Sequence, residues 1–338
     1  MKILLYLSHT CGFKDSILDV FPYPDNIDCL LESMPIEDQF IYARSNGFDI
    51  MAYSWGGMAD LTADRYDKCF SSYGILPVYA HCGNSHTRTT ATTRLHAIIL
   101  VGHGNGTETT DGSINPNSGS YGPGLEFYAW KSSESACTPY VAAMFARLMT
   151  DHPDWNFWDA RAALRQTAWN YTRGGWVEDG GFGLLDWEAA NTLSDSDLAL
   201  FGPVNLQAEV DEKKGVINLT WVNFESSQWH ETLFVLFDHE PARDEDPADG
   251  RIIYAGPDTG ATCPFHEWGG YWLAAYSRDA QGGLSLLEAC DTRELMLRNF
   301  SGYDTPQYEF IAQRRPKVFD ITPRQKIFAS QKGSALDM

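Results

Sequence analysis

The chain has 338 residues, 43% of them hydrophobic, enough for about two domains that each bury a core. Its formal net charge of −20 argues against nucleic-acid or anionic-membrane partners, because phosphate-rich surfaces repel such a protein. No apolar run approaches the roughly 18 residues a membrane-spanning helix needs, and the apolar start MKILLYL is too short for a secretory leader, so no membrane insertion is expected.

MKILLYL instead reads as a buried strand. SMPIEDQFIYARSNG then carries Ser33 and Pro35 at one end, Gly47 at the other, and Ile36, Phe40 and Ala43 on one stripe, the marks of a helix. FDIMAYSWGG is a short apolar strand ended by glycines, and DLTADRYDKCFSSYG is a helix closed by Gly74. ILPVYAHCGN, LHAIILVG and LEFYAW follow as further strands. Beyond them Val141, Met144, Phe145 and Leu148 recur with a 3.6-residue period. A second helix opens at Asn156, an N-cap type, with Asp159 in its first turn, where an acid suits the helix dipole. The glycine-rich GGFGLLDWEAANTL ends in helical pattern. Strands alternating with helices predict an α/β domain over residues 1–198, a mostly parallel sheet with helices on both faces.

Near residue 200 the texture changes. VNLQAEVDEKKGVINLTWVNF alternates apolar and polar residues across a KKG turn, a hairpin signal. ETLFVLFDHE, GRIIYAG and YWLAAYSRDAQGGLSLLEA continue as short strands, so residues 202–296 read as an all-β sandwich. Residues 297–338 show no periodicity and read as a tail or linker. The seven cysteines include no C-x-x-C pair and no zinc spacing, so no metal or cofactor is expected; a Cys263–Cys290 disulfide stays open.

The stretch SESACTPYVAA admits two readings. Ser135 is a residue type favoured at helix caps. Equally, a serine at a helix N-terminus has backbone N–H donors and the positive end of the dipole beside it, which can stabilise an oxyanion. Asn84 after Gly83 is ordinary turn chemistry or a side-chain amide for the same purpose.

The order DIMAYSWGG, ILPVYAHCGN, HAIILVG, SESACTPYVAA, HPDW, GGFGLLDWEAA resembles the C-terminal two-thirds of the catalytic domain of a subtilisin-like serine peptidase. The sandwich region resembles a fibronectin type III or immunoglobulin domain. The resemblance implies an N-terminally incomplete subtilisin-like fold, peptide hydrolysis through an acyl-enzyme, and an extended polypeptide as substrate or partner. Matched position by position, Ser135 is the nucleophile, followed by the motif proline Pro139, and Asn84 is the oxyanion amide. Ser54, Trp55 and Gly56 form the cleft strand that pairs with substrate, and Gly83 the wall of the specificity pocket. Ser133 and Glu134 stand where the family has Gly and Thr.

The family's base and its orienting acid lie in H-G-T-H and D-[ST]-G motifs, and neither occurs in this sequence. Both are expected upstream of the segment that MKILLYL matches, which would leave this chain alone inactive. The alternative is a non-catalytic relative that binds peptides or a partner through the old cleft. His103 in VGHGNGT resembles the histidine motif only superficially; His9, His81 and His86 fall near predicted strand ends as substitute bases. A secreted location follows if the full-length protein carries an upstream signal peptide.

Overall fold

The computed structural model describes residues 1–6, 20–30, 34–54, 60–80, 96–104, 121–122, 124–131, 133–169, 175–177, 180–265, 269–287, 292–297, 308–312 and 327–331. The chain divides into two compact units, Met1–Ala199 with Glu225–Gln228, and Leu200–Phe224 with Trp229–Met338.

The first unit is built on seven strands: β1 (Ile3–Tyr6), β2 (Ile27–Leu30), β3 (Ile50–Tyr53), β4 (Leu76–Ala80), β5 (Ile99–Gly104), β6 (Phe127–Trp130) and β7 (Gly183–Leu184). They form one sheet in the order β2-β1-β3-β4-β5-β6-β7, and every neighbouring pair is parallel. β1 therefore lies inside the sheet, between β2 and β3, with Ile3, Leu4 and Leu5 buried. Such near-continuous apolar strands are what a sheet covered on both faces requires.

Helices α1 (Ile36–Ser45) and α2 (Asp60–Tyr73) cover one face, where Phe40, Ala43 and Tyr66 meet Leu4, Met51, Tyr53, Tyr79 and Leu100 in one core. The α1 stripe is the one the sequence predicts. Tyr53 and Tyr79 stack there with ring centroids 5.4 Å apart. Alternation along the strands turns Ile50, Ala52, Val78, Ile99 and Val101 to the other face. That face belongs to α3 (Glu134–Asp151), which runs across β1 and β3 to β6. Val141, Met144, Phe145 and Leu148 are all buried. α4 (Phe157–Thr167) starts with a full capping box between Asn156 and Asp159, and α5 (Trp187–Asn191) closes the unit. Both α4 and α5 pack on α3. Strands β2 and β7 are short and have no clear periodic signal; pairing with β1 and β6 creates them.

The second unit has a four-stranded sheet, β11 (Arg251–Gly256), β10 (Glu231–Phe237), β13 (Gly269–Arg278) and β14 (Thr292–Leu297), and a three-stranded one, β12 (Gly260–Pro264), β9 (Val216–Val222) and β8 (Val204–Asp211). All of their pairings are antiparallel. Leu206, Ile217, Leu219 and Trp221 from one sheet meet Phe234, Leu236, Leu273 and Leu295 from the other, the core of a β-sandwich. The predicted KKG turn joins β8 to β9, with Gly215 at φ 64° in the left-handed region glycine tolerates. Where the sequence predicts a structureless tail, β15 (Tyr308–Ala312) pairs antiparallel with β16 (Ile327–Gln331). Aromatic and β-branched residues in YEFIA and IFASQ favour strands, and the long interval between them hides the pairing from local pattern. Cys263 is a buried free thiol; Cys290 lies outside the described residues.

Candidate active site

The cap and the candidate nucleophile are separate residues. Ser133 has the extended backbone of an N-cap, and its Oγ accepts the Ala136 N–H at 3.2 Å. Ser135 is the second residue of α3, half-buried, and its hydroxyl donates to the Ser54 carbonyl at 2.8 Å. That bond spans 81 positions of sequence and ties the head of α3 to the end of β3. Catalytic groups in open α/β sheets gather at these carboxyl ends of strands. Pro139 has no N–H to give the Ser135 carbonyl. The first turn of α3 is held by the Ala136 and Cys137 N–H groups on the Ser133 carbonyl, and the Cys137 thiol donates to the Ala129 carbonyl of β6 at 3.1 Å.

The structure thus brings together Ser135 and Ser54, two of the residues matched from sequence. The Ser54 hydroxyl is itself buried, with no partner among the described residues. Trp55, Gly56, Gly83 and Asn84 lie outside the described residues, as do His9, His81 and His86. His103 is described: it is buried on β5 in register with Ala129, and its Nδ1 has no partner among the described residues. Strand alternation places it on the α3 side with Ile99 and Val101.

At the opposite, amino end of these parallel strands lies a charged cluster. Glu126, immediately before β6, accepts from Arg161 Nε at 2.7 Å, from a second Arg161 nitrogen at 2.6 Å, and from Arg165 Nε at 2.8 Å. Arg161 also donates to the carbonyls of Ala97 (2.9 Å) and His96 (2.7 Å). All three charged side chains are essentially inaccessible. Burial pushes the Arg161 pKa down to about 10, an effect the neighbouring Glu126 carboxylate opposes. The signal in sequence is a pair of arginines four apart among the alanines of α4.

Asp64, Asp67 and His96 place three donor atoms within 4.8 Å of one another, a set able to hold a divalent cation. Part of the group is bonded internally, while His96 Nε2 is buried with no partner among the described residues. His96 Nδ1 and Asp67 Oδ2 share a hydrogen bond at 2.7 Å, and Asp67 Oδ1 accepts the Ile98 N–H at 3.2 Å.

No protein-family model matches this chain. Fervidolysin from Fervidobacterium pennivorans is 30% identical over 146 residues, 43% of this chain and 18% of fervidolysin. The crystal structure of fervidolysin, a keratinolytic enzyme related to subtilisin, covers 80% of this chain and 47% of its own, at 15% identity and a TM-score of 0.41. A fibronectin type III-like protein from Clostridium thermocellum aligns with 31% of this chain over 99% of its own length, at 18% identity and a TM-score of 0.22. The chain therefore spans less than half of the protease it matches. Over those 146 residues the sequence similarity to fervidolysin is consistent with the motif order.

Proposed function

We propose that residues 1–198 are the nucleophile-bearing part of a subtilisin-like serine endopeptidase, that residues 202–296 are an accessory β-sandwich, and that residues 297–338 are a linking tail. The observation that supports this is the Ser135 hydroxyl, set at the N-terminus of an 18-residue helix and 2.8 Å from the Ser54 carbonyl. In this reading the Ser135 Oγ attacks a peptide carbonyl. A C–O bond forms, the hydroxyl proton passes to a base, and the amine leaves with a proton to give the acyl-enzyme. The dipole of α3 and the Asn84 amide stabilise the oxyanion; such a side-chain donor contributes about 10²–10³ in rate. In the same reading Ser54, Trp55 and Gly56 are the substrate-pairing segment and Gly83 the wall of the specificity pocket, assignments that follow from the motif match.

A serine hydroxyl without a base is a weak nucleophile, and this sequence has neither the D-[ST]-G nor the H-G-T-H motif. The polypeptide as given therefore hydrolyses peptides negligibly. What remains is about 10³–10⁴ over water, from the oxyanion donors and binding. One observation favours a second reading, a peptide-binding relative: the Ser135 proton is committed to a carbonyl, an inert partner.

Supplying the base from solution separates the two. The chain is incubated with p-nitrophenyl acetate and increasing imidazole, and acetylation is mapped by mass spectrometry. A nucleophile site predicts imidazole-dependent acetylation of Ser135, absent in Ser135→Ala and slowed about 10²-fold or more in Asn84→Ala. If Ser135 is acetylated no faster than surface serines at any imidazole concentration, the peptidase reading fails and the binding reading stands.

A further inference from the structure

A second cleft in the first unit is separate from Ser135. It encloses about 750 Å³ between the ends of β6 and β7, the flank of α3 and the start of α5. Its walls include Trp130, Tyr140, Trp169 and Trp187, and among the described residues the charged groups lining it are Asp186 and Glu188, both acids. Trp130 is 47% exposed, an unusual state for a tryptophan beside a buried strand. Tyr140 lies five residues beyond Ser135 on α3, about 140° around the helix and roughly 7.5 Å along it. Neither Ser135 nor Ser54 is among its described lining residues.

The same unit shows what chemistry such walls take. Arg165 lies 4.4 Å from the Phe182 ring centre and Arg161 lies 5.3 Å from that of Trp158, with Glu126 closing both as counter-ion. On the rim, the Arg147 guanidinium sits 5.8 Å from the Trp187 ring and is held by Asp151, while Lys131 Nζ lies 3.9 Å above Tyr140. A planar cation on an aromatic face, closed by a carboxylate, is thus used repeatedly inside this domain. The cleft presents the same two components, rings and carboxylates, with neither Arg147 nor Lys131 among its lining groups.

We propose that this cleft binds an arginine side chain presented by a polypeptide: the guanidinium stacks on the tryptophans and pairs with Glu188 and Asp186, and its methylene stem fills the apolar floor. A guanidinium suits the site better than an ammonium because it is planar, weakly hydrated and able to meet a carboxylate through two N–H groups. The volume exceeds one side chain, so the flanking backbone enters with it. The assignment does not rest on the peptidase reading of Ser135.

The test titrates the chain with acetyl-Gly-Arg-Gly-amide, its citrulline counterpart and tetramethylammonium, read by tryptophan fluorescence and calorimetry. Citrulline keeps the shape and removes the charge. The arginine peptide is expected to saturate at least tenfold tighter than the citrulline peptide. Glu188→Gln, an exposed and nearly isosteric change whose fold is checked by circular dichroism, is expected to weaken it about fivefold; Trp187→Leu weakens it further. Equal affinity for arginine and citrulline, or no saturation by 20 mM peptide, overturns the proposal. Tighter binding of tetramethylammonium than of the arginine peptide overturns the arginine assignment.

Discussion

Glu126→Gln removes the one negative charge shared by two buried guanidinium groups. The substituted amide keeps the shape and can accept from one arginine, but Arg161 and Arg165 then face each other without their bonded counter-ion at 0% and 2% side-chain exposure. Breaking a buried pair by neutralising one partner costs about 3–5 kcal/mol, because the other charge stays in low dielectric. That is a large share of the roughly 5–15 kcal/mol by which domains are stable. For a unit near 200 residues, about 2–4 °C is lost per kcal/mol, so the thermal transition of the first unit should fall by roughly 6–20 °C. The depressed Arg161 pKa, near 10, shows that burial outweighs even the present pairing. Calorimetry of wild type and variant at pH 7 measures the shift, and a urea series with unchanged slope confirms that stability alone has moved. A drop under 2 °C would refute the reasoning, since Glu126 would then not be the counter-ion holding both cations. Arg161→Met added to Glu126→Gln recovers only part of the loss, because the Ala97 and His96 carbonyls then lose their donor.

The two serines at the head of α3 separate by stability. Ser133→Ala removes the cap bond to Ala136 and should cost about 1 kcal/mol, a melting shift of a few degrees, whereas Ser135→Ala should leave α3 in place; the reverse order would make Ser135 the cap. In the second unit, the Asp238 carboxylate bonded to His239 Nδ1, with Glu245 beyond, holds the His239 pKa above its ordinary value. Its charged form is favoured in the folded state, so any stabilisation it brings is present below the ordinary histidine range and is lost as pH rises through the folded pKa. NMR titration should place His239 above 6.5, and Asp238→Asn should move it down; an unmoved midpoint would show that the contact does not form in solution.

The architecture was legible wherever periodicity and burial agree. The apolar runs at Ile3–Tyr6, Ile50–Tyr53 and Leu76–Ala80 had to be interior strands, and the stripe from Val141 to Leu148 had to be a helix facing them. What the sequence hid was created by tertiary partners. β2 is four residues of ordinary composition that become a strand because β1 offers an edge, and β15 and β16 find each other across a long interval. Glu126, Arg161 and Arg165 look like solvated charges until the fold buries them together.

Of the residues the motif order singles out, Trp55, Gly56, Gly83 and Asn84 lie outside the described residues. Ser54 and Ser135 meet because a parallel β-α order puts the end of β3 and the head of α3 on one side of the sheet. The bond between them also explains why two serines are needed where a cap alone would require one: Ser133 satisfies the helix, which frees Ser135 to reach across to β3. Local chemistry could name both residues but not divide these roles between them, because a serine two places further along the same turn has nearly the same capping propensity. The division follows from the fold, in which the Ser133 Oγ accepts the Ala136 N–H while the Ser135 hydroxyl reaches the Ser54 carbonyl.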